Sequence, residues 1–260
     1  MNASVSLDEL NQEQRLSVTL EDNMNALILA GAGSGKTRVL THRIQYLVSE
    51  KNCHLDSILA VTFTNKAANE MRERLADLLL RPIGRMWVGT FHSLAHRFLR
   101  THAIEANLAP TFQILDQQDQ YRIVKRLMKE NGIDETKFPV RKVQWFINQQ
   151  KDEGIKPNDI DAGYNFFVKQ SAKVFALYEA HCQTNDLVDF AGLLVKSYEL
   201  LKNNASLREH YQRQFKYILV ECRDKSKMDK YMEPIGYSFV EALSHHDFLY
   251  SDTNYASNHA

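Results

Sequence analysis

Residues 30–37 read AGAGSGKT: Ala30, Gly31, Ala32, Gly33, Ser34, Gly35, Lys36, Thr37. The apolar run ALIL (26–29) precedes them, and Val39, Leu40, Arg43, Ile44 and Leu47 follow at helical spacing. Strand, glycine-rich turn and helix start in that order predict a phosphate-cradling loop in an α/β domain with a parallel sheet. The three glycines let the backbone turn tightly and point successive N–H groups inward, while Lys36 supplies a compact positive charge. Thr37 offers a hydroxyl to a magnesium ion, and the expected nucleotide-binding segment runs from Ala30 through Arg38. Ala30 stands where the strict pattern has glycine, a position that needs only a small side chain. The spacing predicts a nucleotide triphosphate site.

At 260 residues, 44% apolar and 25% charged, the chain has room for one large or two small domains around a real core. Cys53, Cys182 and Cys222 are odd in number and form no CxxC pair, and the start MNASVSLDEL lacks a basic, apolar leader. These features predict a reduced, cytoplasmic protein. No apolar run approaches the roughly 20 residues that cross a bilayer, so no membrane partner is expected. Net charge is zero, yet residues 36–100 hold eleven Lys/Arg against Glu50, Asp56, Glu70, Glu73 and Asp77. A locally cationic surface suits a polyanion, although charges on helix faces are also simply solvated.

Upstream of the loop, Leu10, Asn11 and Gln14 form an LNxxQ pattern opening a short helix. The Gln14 amide carries donor and acceptor on one plane, as reading an adenine edge requires, and its distance from Lys36 raises that reading above an exposed polar residue. Downstream, SILAVT (57–62) is a buried-strand pattern followed by FTNKAANEM (63–71). It delivers Thr64, Asn65 and Lys66 to the strand's C-terminal end, beside the phosphate loop, where open α/β sheets place ligands. A second short strand, residues 86–88, leads into GTFHSLAHRFLR (89–100), with Thr90, Phe91 and His92 at its end. Phe91 suits stacking on a base and Thr90 a phosphate bond. His92 and His96 share one helical face, but without an intervening Glu or a third ligand they do not make a zinc site.

Together, LNQEQ, AGAGSGKTRVL, ILAVTFTNKAANEM and VGTFHSLAHRFLR resemble the N-terminal part of the UvrD/Rep/PcrA group of superfamily 1 DNA helicases. The resemblance implies a RecA-like P-loop NTPase domain using ATP and Mg2+, acting on single-stranded and duplex DNA with 3′-to-5′ polarity. It implies adenine contact by Gln14, phosphate and metal contact by Gly31 through Thr37, and single-strand contact by Phe63, Thr64, Asn65, Thr90, Phe91 and His92. A full-length helicase of this group supplies a second motor domain.

From residue 91 the pattern turns helical. Asp116 or a neighbour caps a run through Ile123, Leu127 and Met128 that Gly132 stops; Pro139 opens another through Val143, Phe146 and Ile147; a longer one runs from Phe166 through Tyr178. This predicts an all-helical insertion over 91–210 between motor-domain parts at 1–90 and 211–224. Trp145, Phe146, Phe166, Phe167 and Phe175 fall at helical spacings and are expected in its core. In DLVDFAGLL, Asp186, Asp189 and Phe190 resemble a further family motif, with helix capping the role expected of the carboxylates.

KYILV (216–220) reads as a returning buried strand, and there the pattern breaks. The family follows this strand with an Asp that holds magnesium and a Glu that activates water, in a DEFQD-like sequence. This chain has Glu221, Cys222, Arg223, Asp224. It reads either as a one-residue deletion or as the start of an unrelated tail. Glu221 is thus a candidate catalytic residue that cannot hold the metal and act as base together. Residues 225–260, with a bare HHD at 245–247, are expected to be loosely ordered apart from one short helix near Phe239 to Leu243. The expectation is an N-terminal part of a helicase, catalytically incomplete by itself. The alternatives are a non-catalytic ATP- and ssDNA-binding module, or a small P-loop kinase, against which FTNKAANEM and GTFHS argue.

Overall fold

The computed structural model describes residues 7–21, 35–221 and 234–243. The strand expected over 26–29, the loop residues Ala30, Gly31, Ala32, Gly33 and Ser34, and residues 222–233 and 244–260 lie outside the described residues. Two compact units divide the chain: 1–90 with 206–230 and 241–260, and 91–205 with 231–240.

The first unit is built on a parallel sheet in the order β2-β1-β5, with β1 Ile58–Thr62, β2 Trp87–Thr90 and β5 Tyr217–Val220. Every residue of β1 is buried, because side chains from both faces of the strand are covered. Ile58, Ala60 and Val88 pack with Ile44 and Leu47 of helix α2 (Lys36–Ser49) and Met71 and Leu75 of α3 (Asn65–Leu79). Opposite them, Trp87 meets Tyr211 and Phe215 edge-on, with ring centroids 5.8 and 5.4 Å away, at the end of α9 (Ala205–Gln214). Thr62 pairs with Thr90, and Val61 with Val220, so the residues that follow β1, β2 and β5 leave from one edge of the sheet.

Helix α1 (Gln12–Val18) precedes this sheet. Its Val18, with Leu10, packs on Val39 of α2. Arg43, 9% exposed, donates to the carbonyls of Val18 at 2.9 Å and Leu20 at 2.7 Å, which supplies partners to backbone acceptors at the α1 C-terminus.

The second unit holds α4 (Phe91–Thr101), α5 (Gln117–Glu130), α6 (Val140–Asp152), α7 (Phe166–Thr184) and α8 (Phe190–Asn203). Asp116 caps α5, accepting from Gln118 N and Asp119 N, and Pro139 precedes α6. The all-helical expectation is corrected: β3 (Gln113–Leu115) pairs in parallel with β4 (Leu187–Asp189). These strands are three residues each and over seventy apart, so no local alternation announces them; Asp186, at φ 51°, fixes the approach by accepting from Ala109 N at 2.9 Å.

The aromatic core is also corrected in part. Phe146 and Phe175 are buried and Phe167 packs partly buried, but Trp145 is 66% and Phe166 62% exposed. The core is instead Val124, Met128, Val143, Ile147, Val174 and Tyr178 with their neighbours. Helix α10 (Pro234–Ala242) starts earlier than the Phe239 expected from sequence, with proline in its first turn, and Phe239 is fully buried 5.7 Å from the Phe98 ring. No described helix is long and apolar enough to cross a membrane.

Candidate functional site

Gly35 precedes α2 with φ +84° and ψ 24°, a left-handed conformation that favours glycine, and no side chain caps the helix behind it. The first N–H groups of α2 therefore face the loop side with the positive end of the helix dipole, the arrangement that attracts an anion. Lys36 and Thr37, both half-buried, form its first turn.

Gln14 reaches the same place. Its Oε1 accepts from Asn11 N at 3.2 Å while Asn11 Oδ1 accepts from Gln14 N at 2.8 Å, a reciprocal cap that orients the Gln14 amide. A Cβ at Gly35 would come within 3.1 Å of Gln14 Nε2, so the residue read as an adenine contact lies against the last glycine of the loop. Arg38 goes elsewhere: its guanidinium pairs with Glu9, tying α2 to the segment before α1.

The carboxylate of Glu221, 4% exposed, joins three elements. Its backbone N–H donates to Val61 O at 2.8 Å as β5 ends, and Thr62 donates to Oε2 at 3.1 Å. Thr37 donates its hydroxyl to Oε1. The first turn of α2, the end of β1 and the end of β5 thus converge on one buried carboxylate whose described side-chain partners are two hydroxyls. Adjacent hydroxyl and carboxylate oxygens suit a hard divalent cation, and magnesium commonly takes only one or two protein carboxylates, with water and phosphate completing its shell. Thr37 and Glu221 fit that donor set. Among the described residues no group of three His, Cys, Asp or Glu is arranged to hold a metal by itself. Thr62, 1% exposed, was not singled out by sequence; only its register with Thr90 and its bond to Glu221 reveal it.

The residues read as single-strand contacts are distributed unevenly. Thr64 and Asn65 are exposed and Phe63 is half-buried where β1 gives way to α3, with Thr64 Oγ1 capping the helix through Ala67 N at 3.1 Å. Thr90 and Phe91 are each 8% exposed, so Phe91 presents little ring for stacking a base. His92 packs edge-on against Phe190 at 5.9 Å, and burial holds its imidazole below the usual value, favouring a neutral ring over a phosphate-binding cation. His96 accepts from Arg100 Nε at 2.9 Å; burial and then the Arg100 charge hold it low as well.

A second buried carboxylate lies in the helical unit. Asp189 caps α8 by accepting from Gly192 N at 2.6 Å, as the sequence led us to expect, and it also accepts from Tyr178 Oη at 2.7 Å and Gln120 Nε2 at 3.2 Å. Lys151 Nζ lies 2.9 Å from Asp189 and 2.7 Å from Glu179. Burial alone would raise the Asp189 carboxyl, but Lys151 and the hydrogen bonds hold it below the ordinary range. Lys151 was missed because a lysine in a helical pattern reads as solvated. Gly192 is required there: a Cβ would fall 2.7 Å from Asp189 Oδ1 and 3.2 Å from Lys151 Nζ.

A family model described as UvrD/REP helicase N-terminal domain matches residues 10–228. DNA helicase II of Escherichia coli (strain K12) is 50% identical over 221 residues, 85% of this chain and 31% of that protein. DNA helicase II of Haemophilus influenzae is 46% identical over 249 residues, 94% of this chain and 33% of that protein. ATP-dependent DNA helicase PcrA of Bacillus subtilis is 38% identical over 228 residues, 87% of this chain and 31% of that protein. The chain spans about a third of the length of the curated relatives it matches.

Proposed function

The chain belongs to the UvrD/Rep helicase family, and from that membership we propose that it carries the first motor domain of an ATP-dependent 3′-to-5′ DNA helicase. In this reading a RecA-like domain over 1–90 and 211–224 is interrupted by a helical insertion over 91–210, and the protein works in the cytoplasm on single-stranded and duplex DNA. The observation that carries it is the meeting of Thr37, Glu221 and Gln14 at the N-terminal end of α2.

Gly31 through Gly35 and the first N–H groups of α2 bind the phosphates of ATP, and Lys36 adds a charge-assisted contact. Gln14 orients the adenine, with Arg38 bracing α2 on Glu9 beside it. Thr37 and Glu221 would hold Mg2+, which supplies charge that polarises the γ-phosphate. Thr62 fixes the Glu221 carboxylate against rotation. Phe63, Thr64 and Asn65 receive single-stranded DNA where β1 ends, flanked in sequence order by Thr90, Phe91 and His92. Arginines of a second motor domain, supplied by the rest of a full-length helicase, close on the γ-phosphate.

A second reading follows for this polypeptide taken alone: it binds ATP and single-stranded DNA without turnover. Residues 221–224 (ECRD) favour it, because the adjacent Asp-Glu pair that metal holding and water activation need is not intact in that sequence. Arginine fingers add a further ~10³ to 10⁵ in rate. The test pairs anisotropy of a labelled oligonucleotide with DNA-stimulated phosphate release, using Lys36→Ala to detect contaminating activity. Expected are oligonucleotide binding that weakens as salt rises and phosphate release no faster than in the variant. Release of several phosphates per second, lost in Lys36→Ala, would overturn the second reading; flat anisotropy at low salt would overturn the DNA assignment.

A further inference from the structure

Trp145 stands on α6 at 66% exposure although the helix buries Val140, Val143, Phe146 and Ile147 on its other side. Two cations precede it on the helix. Arg141 and Lys142, both exposed, lie four and three residues before it and therefore on the adjoining turn. From Val140 to Lys151 the helix has no acidic residue; Asp152 is its last position. Lys151 is committed to Asp189 and Glu179 and takes no part in this face. Arg141 is steadied by the Tyr121 ring, 5.5 Å from its guanidinium carbon.

We propose that this face of α6 is a platform for single-stranded DNA, on which a base stacks against Trp145 while Arg141 and Lys142 take the flanking phosphates. An exposed aromatic beside uncompensated cations is the pairing that single strands recognise without regard to sequence. A duplex presents base edges and phosphates but no open base face, so it gains from the cations alone. This contact lies on the helical unit and adds to the motif residues that follow β1 and β2.

The chain has two tryptophans, and Trp87, 6% exposed, packs edge-on against Tyr211 and Phe215 at the end of α9. Trp145 therefore supplies the emission that acrylamide quenches. Titrating the full chain with oligothymidylate at low salt should quench that emission and shield it from acrylamide. Trp145→Ala should weaken binding of a labelled oligonucleotide about fivefold or more, Trp145→Phe should retain most of it, and Arg141→Ala should lower the salt slope by about 1. Oligonucleotide binding that leaves the emission unchanged and is equal in Trp145→Ala would overturn this surface while leaving the motif assignment standing. Flat anisotropy with the parent chain would remove both. An emission change on concentrating the protein without DNA, with none on adding DNA, would make the face a self-contact and overturn the proposal.

Discussion

Asp189 in the helical unit and Glu221 at the sheet edge are each 4% exposed, yet their surroundings differ in kind. Asp189 is met by an ammonium, a phenol, an amide and a backbone N–H, so its charge is compensated within the protein. Glu221 is met by the hydroxyls of Thr37 and Thr62, and among the described residues by no cation. A buried carboxylate without a positive partner is costly, which makes such a site a receptor for a cation arriving with its ligand. Full compensation marks Asp189 as a staple, and the proposed nucleotide site gives Glu221 the cation that its hydroxyl partners do not. The same residue class thus separates structural from functional roles by its partners, not by its depth.

The sharpest break of this contrast is Lys151→Ala. Removing one partner leaves Asp189 and Glu179 facing an uncompensated buried charge, a loss on the order of 3 to 5 kcal/mol. Glu221→Gln should not lower folding stability, since it removes a buried charge that has no cationic partner and an amide bonds hydroxyls as well. Urea unfolding of the two variants measures both. If Lys151→Ala proves no more damaging than Glu221→Gln, the distinction fails.

A smaller effect comes from Asp152, beside the staple. Burial, and then the charge of Asp189, pushes its carboxyl up to about 6, with Lys151 pulling the other way. The folded state therefore holds this proton more tightly than the unfolded chain. Stability from Asp152 is greatest below about pH 4 and declines as pH rises to about 6, a loss on the order of 1 kcal/mol after solvent screening of a half-buried group. Asp189 runs oppositely: held low, it stabilises above the ordinary carboxylate range and loses that contribution in acid. In Asp152→Asn the decline between about pH 4 and 6 should vanish from melting temperatures taken across that range. Superimposable parent and variant profiles would show that Asp152 is not coupled to the staple.

Local patterns announced what local physics decides. The run at 57–62 gives β1, Asp116 caps α5, Pro139 leads α6, and Gly132 at φ +66° ends the α5 region. The order of Gln14, Gly35, Lys36 and Thr37 along the chain also foretold their gathering at α2. Hidden were features that depend on partners distant in sequence: the β3–β4 pair, the burial of Lys151, and the seat of Thr62 on Glu221, 159 residues away. Helical spacing also placed Trp145 in the core, because periodicity gives a face its width but not the neighbour that covers it. The break at 221–224 was legible as sequence. That Glu221 still reaches Thr37 required the sheet.

In the proposed nucleotide site Thr37 and Glu221 form the metal side and Lys36 the phosphate side. Calorimetric titration of the chain with ATP, in magnesium and in EDTA, tests it across parent, Lys36→Ala and Glu221→Gln. Magnesium should tighten ATP binding to the parent, Glu221→Gln should keep the EDTA affinity but lose the tightening, and Lys36→Ala should weaken both about tenfold or more, as expected for a lost charge-assisted contact. Equal magnesium enhancement in parent and Glu221→Gln, or equal ATP affinity in parent and Lys36→Ala, would contradict this assignment.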